Sequence, residues 1–400
     1  MNSNKIINII LFLSFIFPFC TYLLSLVIGI SFPYIGDLLL IALISLYSLS
    51  KIEFFKIKKF DIVILFYLSF VLIFIFRNFM FLGALYRFSE IRYIIFIPLL
   101  YFFFRISIST KSTSQNVFNL IFLILKLNLF ICIVEFILIN FLPFSQEIIN
   151  RSLTIFVNKD RVYDSIFGTL YKPAGLFHGS GNASIALSIL FIWALKLKNS
   201  NFFFYLLIIF GLIITFTLTS FVVLILGTLF ILFNRVKFFN LNIILFFLFI
   251  LIYFSGQITN FRSSGITASE LEEVSFESGM LVYQISFEKY IEQFGFIAHK
   301  FTSSEINNLT DLIGPTGEIY LLRVGIYFGN ILFFILLFWL FFLLIKIFNN
   351  KNFTAKIAFF ISISLIITSF HYPSINGIPL YILLPLSTVL GLNFDSKSII

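Results

Sequence analysis

Charge is the scarcest commodity in this chain: only 11% of its 400 residues are Asp, Glu, Lys or Arg, while 60% are hydrophobic. Mean hydropathy is +1.07. Soluble domains are about one quarter charged, so this composition excludes a soluble fold and indicates an integral membrane protein. Cysteine is almost absent. Cys20 and Cys132 lie far apart, each within an apolar run, which excludes a disulfide framework and a cysteine-based metal site. The three histidines, His178, His299 and His371, share no ligand spacing, so no metal is expected. The chain lacks an HExxH pair, a Walker-type phosphate loop and a nucleophile elbow. No A-x-A-like cleavage site follows the first apolar run, where only Lys5 precedes the hydrophobic stretch, and that run is expected to be retained as a span.

What is abundant is phenylalanine, at 61 residues. With alanine scarce, this is the signature of an A/T-rich genome choosing apolar codons, and the rings are lipid-facing filler rather than a stacking platform. A bilayer crossing takes about 20 apolar residues, fewer where neighbours shelter the helix. On that ruler spans fall near 6–30, 36–50, 60–76, 93–104, 117–142, 184–197, 202–217, 219–233, 241–255, 318–345, 357–373 and 378–392. The run 202–233 would be roughly 48 Å as a single helix at 1.5 Å per residue, too long for one crossing. Read as two spans broken near the TLTS at 217–220, it leaves Lys51, Lys56, Lys58, Lys59, Arg105, Lys111, Lys196, Lys198, Arg235, Lys237, Lys346, Lys351 and Lys356 on one side, as the positive-inside rule requires.

The expected fold is therefore an all-α polytopic membrane protein of about twelve spans. It forms a single membrane domain, 1–400, with both termini cytoplasmic and large outward loops at 143–183 and 256–317. The net charge of +9 is assigned to cytoplasmic loops rather than to nucleic acid, because the longer outward loop is acidic. No internal repeat relates the two halves, which disfavours folds built on duplicated bundles.

Cations that break the inside-positive pattern are the informative ones. Arg77, Arg87 and Arg92 fall in the short outward stretch RNFMFLGALYRFSEIR, Lys172 in the first outward loop, and Arg323 one turn into the span after the long loop. Either they meet lipid phosphates, Glu90 and Glu318, or they form a clamp for an anionic headgroup, which guanidinium holds bidentately. As a set they favour the clamp. Asn128 and Glu135 are seven residues apart, on one helical face with Cys132 between them. An intramembrane carboxylate is a functional candidate, and it is equally a structural one if bonded to a neighbouring helix. Lys126 is expected to snorkel. Gly325 and Gly329 make a G-x-x-x-G pair, expected to admit a close helix neighbour.

The stretch YKPAGLFHGSGNASIA, 171–186, combines a lysine, a histidine and glycines ahead of a helix that Ser180, Asn182 or Ser184 is available to cap. With its continuation LSIL, with FTLTSFVVLILGTLF, and with GPTGEIYLLRVGIYFGNILFFILL, it resembles, in order and spacing over roughly 60–392, the bacterial O-antigen polymerase and O-antigen ligase superfamily. The YKPAGLF segment is similar to the outward-loop motif with a basic residue and Pro before G-[LF]-F. The FTLTS segment resembles paired short spans split by a Thr/Ser turn, and the GPTGE segment is similar to the re-entry of the long loop ahead of a glycine-bearing helix.

The resemblance implies a polyprenyl-diphosphate-linked oligosaccharide as substrate at the outer face of the bacterial inner membrane, and transfer of its glycan to an acceptor hydroxyl without metal or other cofactor. It also implies membrane lipid surroundings and, for a polymerase, a chain-length-determinant protein as partner; no nucleic acid is expected. Without a divalent ion the leaving diphosphate needs fixed cations, for which Arg77, Arg87, Arg92, Lys172 and Arg323 are the candidates. Gly175 would let the glycan or diphosphate approach. The base is Glu318, beside Gly314 and Gly317, or His178, beside Gly179 and Gly181; His178 is also readable as an ordinary loop residue. Ligases of the superfamily usually carry a histidine in a segment like G-P-H-N at the re-entry, whereas this chain has GPTGE. The departure favours the polymerase over the ligase, and the long outward loops favour either over a lipid-linked oligosaccharide flippase.

Overall fold

The computed structural model describes residues 3–28, 35–49, 57–82, 88–108, 110–141, 162–165, 168–177, 179–196, 201–215, 218–233, 324–325, 327–350, 352–368 and 380–393. Among them stand eleven α-helices: α1 (Ser3–Ile28), α2 (Ile35–Leu49), α3 (Lys59–Leu82), α4 (Phe88–Ser107), α5 (Lys111–Phe141), α6 (Ser180–Lys196), α7 (Phe202–Thr215), α8 (Leu218–Phe233), α9 (Asn330–Phe348), α10 (Phe353–Thr368) and α11 (Leu380–Asn393). Among the described residues, three helical stretches are long and apolar enough to cross a membrane: Lys59–Met80, Lys111–Phe141 and Asn330–Phe348. The fold is helical, and its apolar helices mark a membrane protein.

The expected span 241–255 and the first part of 318–345, residues 318–323, lie outside the described residues; each of the other expected spans overlaps one of these helices, as does the remainder of 318–345. Two local differences stand out. A short antiparallel hairpin, β1 (Val162–Ser165) with β2 (Gly168–Tyr171), pairs Val162 with Tyr171 and Ser165 with Gly168 inside the expected first outward loop. The expected span from 318 is also interrupted, because Gly329 has φ of +86° and α9 begins only at Asn330. That conformation suits glycine and few other residues. Gly329 therefore breaks the helix, and the expectation that Gly325 and Gly329 form a helix-packing pair is corrected.

The run 202–233 does reverse. Along α6 and α7, Tyr205 Oη donates to the Ala194 carbonyl while Gly211 lies against Leu187, so these helices are antiparallel. Along α6 and α8, Ser188 Oγ donates to the Ser220 carbonyl and Gly227 lies against Ile192, so these run in parallel. Consequently α7 and α8 point in opposite directions. Ser188 and Thr215 also bond back to Ser184 and Gly211 carbonyls, the way buried hydroxyls are satisfied within an apolar helix.

Helix α11 packs on α4, α9 and α10, and α6 packs on α5, α7 and α8. Both are buried along almost their whole length. Helices α3 and α9 instead present large apolar side chains outward, Phe76 at 63% and Phe338 at 65% exposure. Lipid tails are as apolar as these rings, so close packing and internal hydrogen bonds, rather than expulsion of water, hold the helices together.

One end of the bundle is tied by a buried polar network. Asp61 Oδ1 receives Tyr101 Oη at 3.0 Å and Arg105 Nε at 3.5 Å, and Asp61 Oδ2 receives the Lys58 amide at 2.8 Å. Arg105 Nη1 reaches Asn393 Oδ1 at 3.3 Å. Asn393 Nδ2 then donates to the Ile108 carbonyl and to Ser114 Oγ. The network joins the starts of α3 and α5 to the ends of α4 and α11. Asp61 is fully buried and Arg105 is 7% exposed. Removing one member of a buried pair typically costs about 3–5 kcal/mol, because it strands the other charge. Asp61→Ala should therefore lower the thermal unfolding midpoint of the detergent-solubilised protein strongly, whereas Asp61→Leu combined with Arg105→Leu should recover part of the loss.

Candidate functional site

After β2 the residues Lys172, Pro173 and Ala174 carry no regular structure, and the next residues close a single 3-10 turn, Gly175–Phe177, before α6. A turn of this kind inside a helical bundle leaves backbone amides without partners, which is costly in an apolar setting. Here α5 supplies the acceptors. Glu135 Oε2 takes the amides of Ala174 at 3.0 Å and Gly175 at 2.8 Å, and Asn128 Oδ1 takes the amide of Leu176 at 2.9 Å. Cys132 Sγ lies 3.9 Å from Asn128 Oδ1. The helical face read from the sequence, Asn128, Cys132 and Glu135, is thus the cradle of the turn.

Gly175 has φ of +57°, and a Cβ there would collide with Asn128 Oδ1 and come within 2.6 Å of Cys132 Sγ. The glycine is demanded by its backbone conformation and by the close approach to α5 at once. Phe177 packs edge-on against Phe15 of α1 at 6.3 Å. At the start of α6, Asn182 Nδ2 turns back to the Phe177 carbonyl at 3.2 Å, and the Ala183 amide donates to the Gly179 carbonyl at 2.8 Å. Asn182 therefore locks the turn to the helix instead of capping an amide.

Lys172, at the head of this turn, is 6% exposed. Around the turn, Asn128 Nδ2, Asn182 Oδ1 and Ser184 Oγ are buried without a hydrogen-bond partner among the described residues. Buried polar atoms of this kind are normally satisfied by water or ligand.

Helix direction locates this site relative to the polar network. Arg77 follows Asp61 along α3 by 16 residues, and Glu135 follows Ser114 along α5 by 21; at 1.5 Å per residue these are rises of roughly 24 and 32 Å. Arg77 and the Lys172 turn accordingly occupy the end of the bundle opposite Asp61 and Arg105. Arg77 is half-buried, its Nη2 is 3.4 Å from Asn78 Oδ1 and its guanidinium lies 5.2 Å over the Phe74 ring. Arg92 lies on α4. Arg87, His178, Glu318 and Arg323 lie outside the described residues. Of the expected set, Lys172 and Gly175 share one turn, and Arg77 shares their end of the bundle.

From the linear chain Arg105 serves only as an orientation marker and Asp61 has no role. The available signal is a carboxylate in the first turn of an otherwise apolar helix, where an unpaired charge is not tolerated.

No protein-family model, curated protein or solved structure matches this chain.

The seating of the turn predicts a graded mutational series, read as thermal stability in detergent. Gly175→Ala should lose about 1–2 kcal/mol for the positive φ, with overpacking against Asn128 adding about 1–3 kcal/mol. Glu135→Leu should cost about 1–3 kcal/mol for each orphaned amide, and Glu135→Gln, which keeps an acceptor oxygen, distinctly less. A neutral Gly175→Ala would contradict the cradle.

Proposed function

We propose that this chain is a membrane glycosyltransferase of the O-antigen polymerase type. It would move a glycan from a polyprenyl-diphosphate carrier to an acceptor hydroxyl at the outer face of the bacterial inner membrane. In this reading the protein has about twelve spans, the network end with Lys58, Lys59, Arg105, Lys111 and Lys346 is cytoplasmic, and the loops 143–183 and 256–317 face outward.

The observation that supports it most is the position of Lys172: a buried cation on a turn fixed to α5, at the end of the bundle that also holds Arg77. In a low-dielectric site the effect of a fixed cation on a leaving diphosphate is large. The unpartnered polar atoms of Asn128, Asn182 and Ser184 suit a polyhydroxylated ligand or the water it displaces.

Chemically, the acceptor oxygen forms the new bond to the anomeric carbon as the bond from that carbon to the diphosphate oxygen breaks. The diphosphate leaves with the electron pair, stabilised by Arg77, Arg87, Arg92, Lys172 and Arg323. The acceptor proton passes to Glu318 or His178. A ligase of the same superfamily would use the same donor, but the GPTGE segment lacks the histidine that ligases usually carry.

A deletion strain examined on a lipopolysaccharide gel separates the alternatives. Loss of a polymerase leaves core plus one repeat; loss of a ligase leaves bare core with polymer on the carrier; loss of a flippase leaves no outward repeat. Complementation with Lys172→Ala or Arg77→Ala should shorten the polymer sharply, since removing one group that stabilises developing charge typically slows turnover about 10²–10³-fold. Undiminished polymer length in both variants would sink the clamp.

A further inference from the structure

The outer surface of α3, α9 and α10 carries a cleft of about 590 Å³ lined by apolar side chains, among them Val63, Phe334, Phe338, Phe341, Leu344 and Ile366. Its rings are outward-facing, Phe338 at 65% and Phe341 at 59% exposure. From Phe334 to Leu344 the cleft follows α9 for ten residues, roughly 15 Å at 1.5 Å per residue, which is about half of a 30 Å hydrocarbon core and so the depth of one leaflet. It runs toward the end of the bundle that holds the Asp61 network, because α9 ends there against the start of α3.

The cleft stops at a concentration of positive charge. Phe60, one turn before Val63 on α3, has the Lys346 ammonium 4.9 Å from its ring centre, the Lys58 ammonium at 5.9 Å and the Arg105 guanidinium at 5.5 Å. Among the described residues Asp61 is the one carboxylate in the group, and it pairs with Arg105. Among the described residues, three cations against one carboxylate leave an excess of positive charge at the mouth of an apolar, leaflet-deep cleft.

From this charge complementarity we infer that the α3–α9–α10 cleft binds an anionic glycerophospholipid, an acyl chain lying along α9 and the phosphate held at Lys346 and Lys58. The site is independent of the Lys172 turn and lies at the opposite end of the bundle, so it concerns the surrounding membrane rather than the glycan carrier. The aromatic ring keeps the ammonium groups at the interface, and each cation near an anionic lipid surface contributes about fivefold in relative affinity.

Tryptophan quenching tests this directly. The chain has two tryptophans, and Trp193 and Trp339 are 1% and 2% exposed, so a Phe338→Trp variant places a reporter in the cleft over a low background, measured on the unmodified chain and subtracted. The variant is reconstituted in phosphatidylcholine vesicles containing either brominated phosphatidylglycerol or brominated phosphatidylcholine at equal mole fraction. The anionic lipid is expected to occupy the site about fivefold or more in preference to the zwitterionic one. Lys346→Gln with Lys58→Gln should bring the two lipids to equal quenching, while Lys346→Arg, and Lys126→Gln on α5, should leave the preference in place. Equal quenching in the parent reporter protein overturns the proposal, as does a preference that survives the double substitution in protein whose helical content is unchanged. Should the double variant fail to fold, Lys346→Gln alone decides, its expected result being a weakened preference.

Discussion

A carboxylate and an amide oxygen on one face of α5 let this bundle tolerate a piece of non-helical chain. Backbone groups within a membrane must be satisfied by the protein itself, which is why spanning segments are helices and why irregular backbone survives only where protein covers it. The turn at 174–176 would otherwise bring three amides into an apolar interior; Glu135 and Asn128 accept all three. Those bonds fix where the turn sits, the turn fixes where α6 begins, and α6 in turn packs against both α7 and α8. The buried Lys172 owes its place to the same contacts.

The other end of the molecule solves a related problem with charge. Asp61 and Arg105 are each too costly to bury singly, but together with Tyr101 and Asn393 they form a satisfied network that clamps four helix ends. The two arrangements lie about a bilayer apart along α3 and α5. One end is rich in lysine and closed by an ion pair; the other holds a buried lysine and a glycine in the left-handed region. This asymmetry is what gives the bundle two chemically distinct faces, and it separates the proposed glycan chemistry from the proposed lipid contact.

Much of this is legible in the linear chain. Hydropathy places the helices because a span must be apolar over a length set by the bilayer, and the break in 202–233 follows from a run too long for one crossing and too basic at both flanks to stay on opposite sides. The α5 face is visible in the spacing of Asn128, Cys132 and Glu135, although spacing alone leaves Glu135 between a chemical and a structural part. The G-x-x-x-G pair misleads, because the motif describes two glycines on one helix and says nothing of whether the second adopts a backbone that ends the helix. The hairpin at 162–171 is not legible, since two four-residue strands leave no periodic signal in a loop.

The sequence by itself determined the class of the protein, the positions of its apolar helices and the residue types at each helix end, since these depend on hydropathy and on local periodicity. The tertiary structure alone decided the partnerships: that Asp61 meets Arg105 across 44 residues and Arg105 meets Asn393 across 288, that Glu135 serves the amides of a turn 39 and 40 residues away, and that an apolar cleft on α3, α9 and α10 ends beside Phe60 and its cations. Helix formation is local, satisfied by bonds four residues apart, whereas the burial of a charge or an unpaired amide is tolerable only when a partner arrives from elsewhere in the chain.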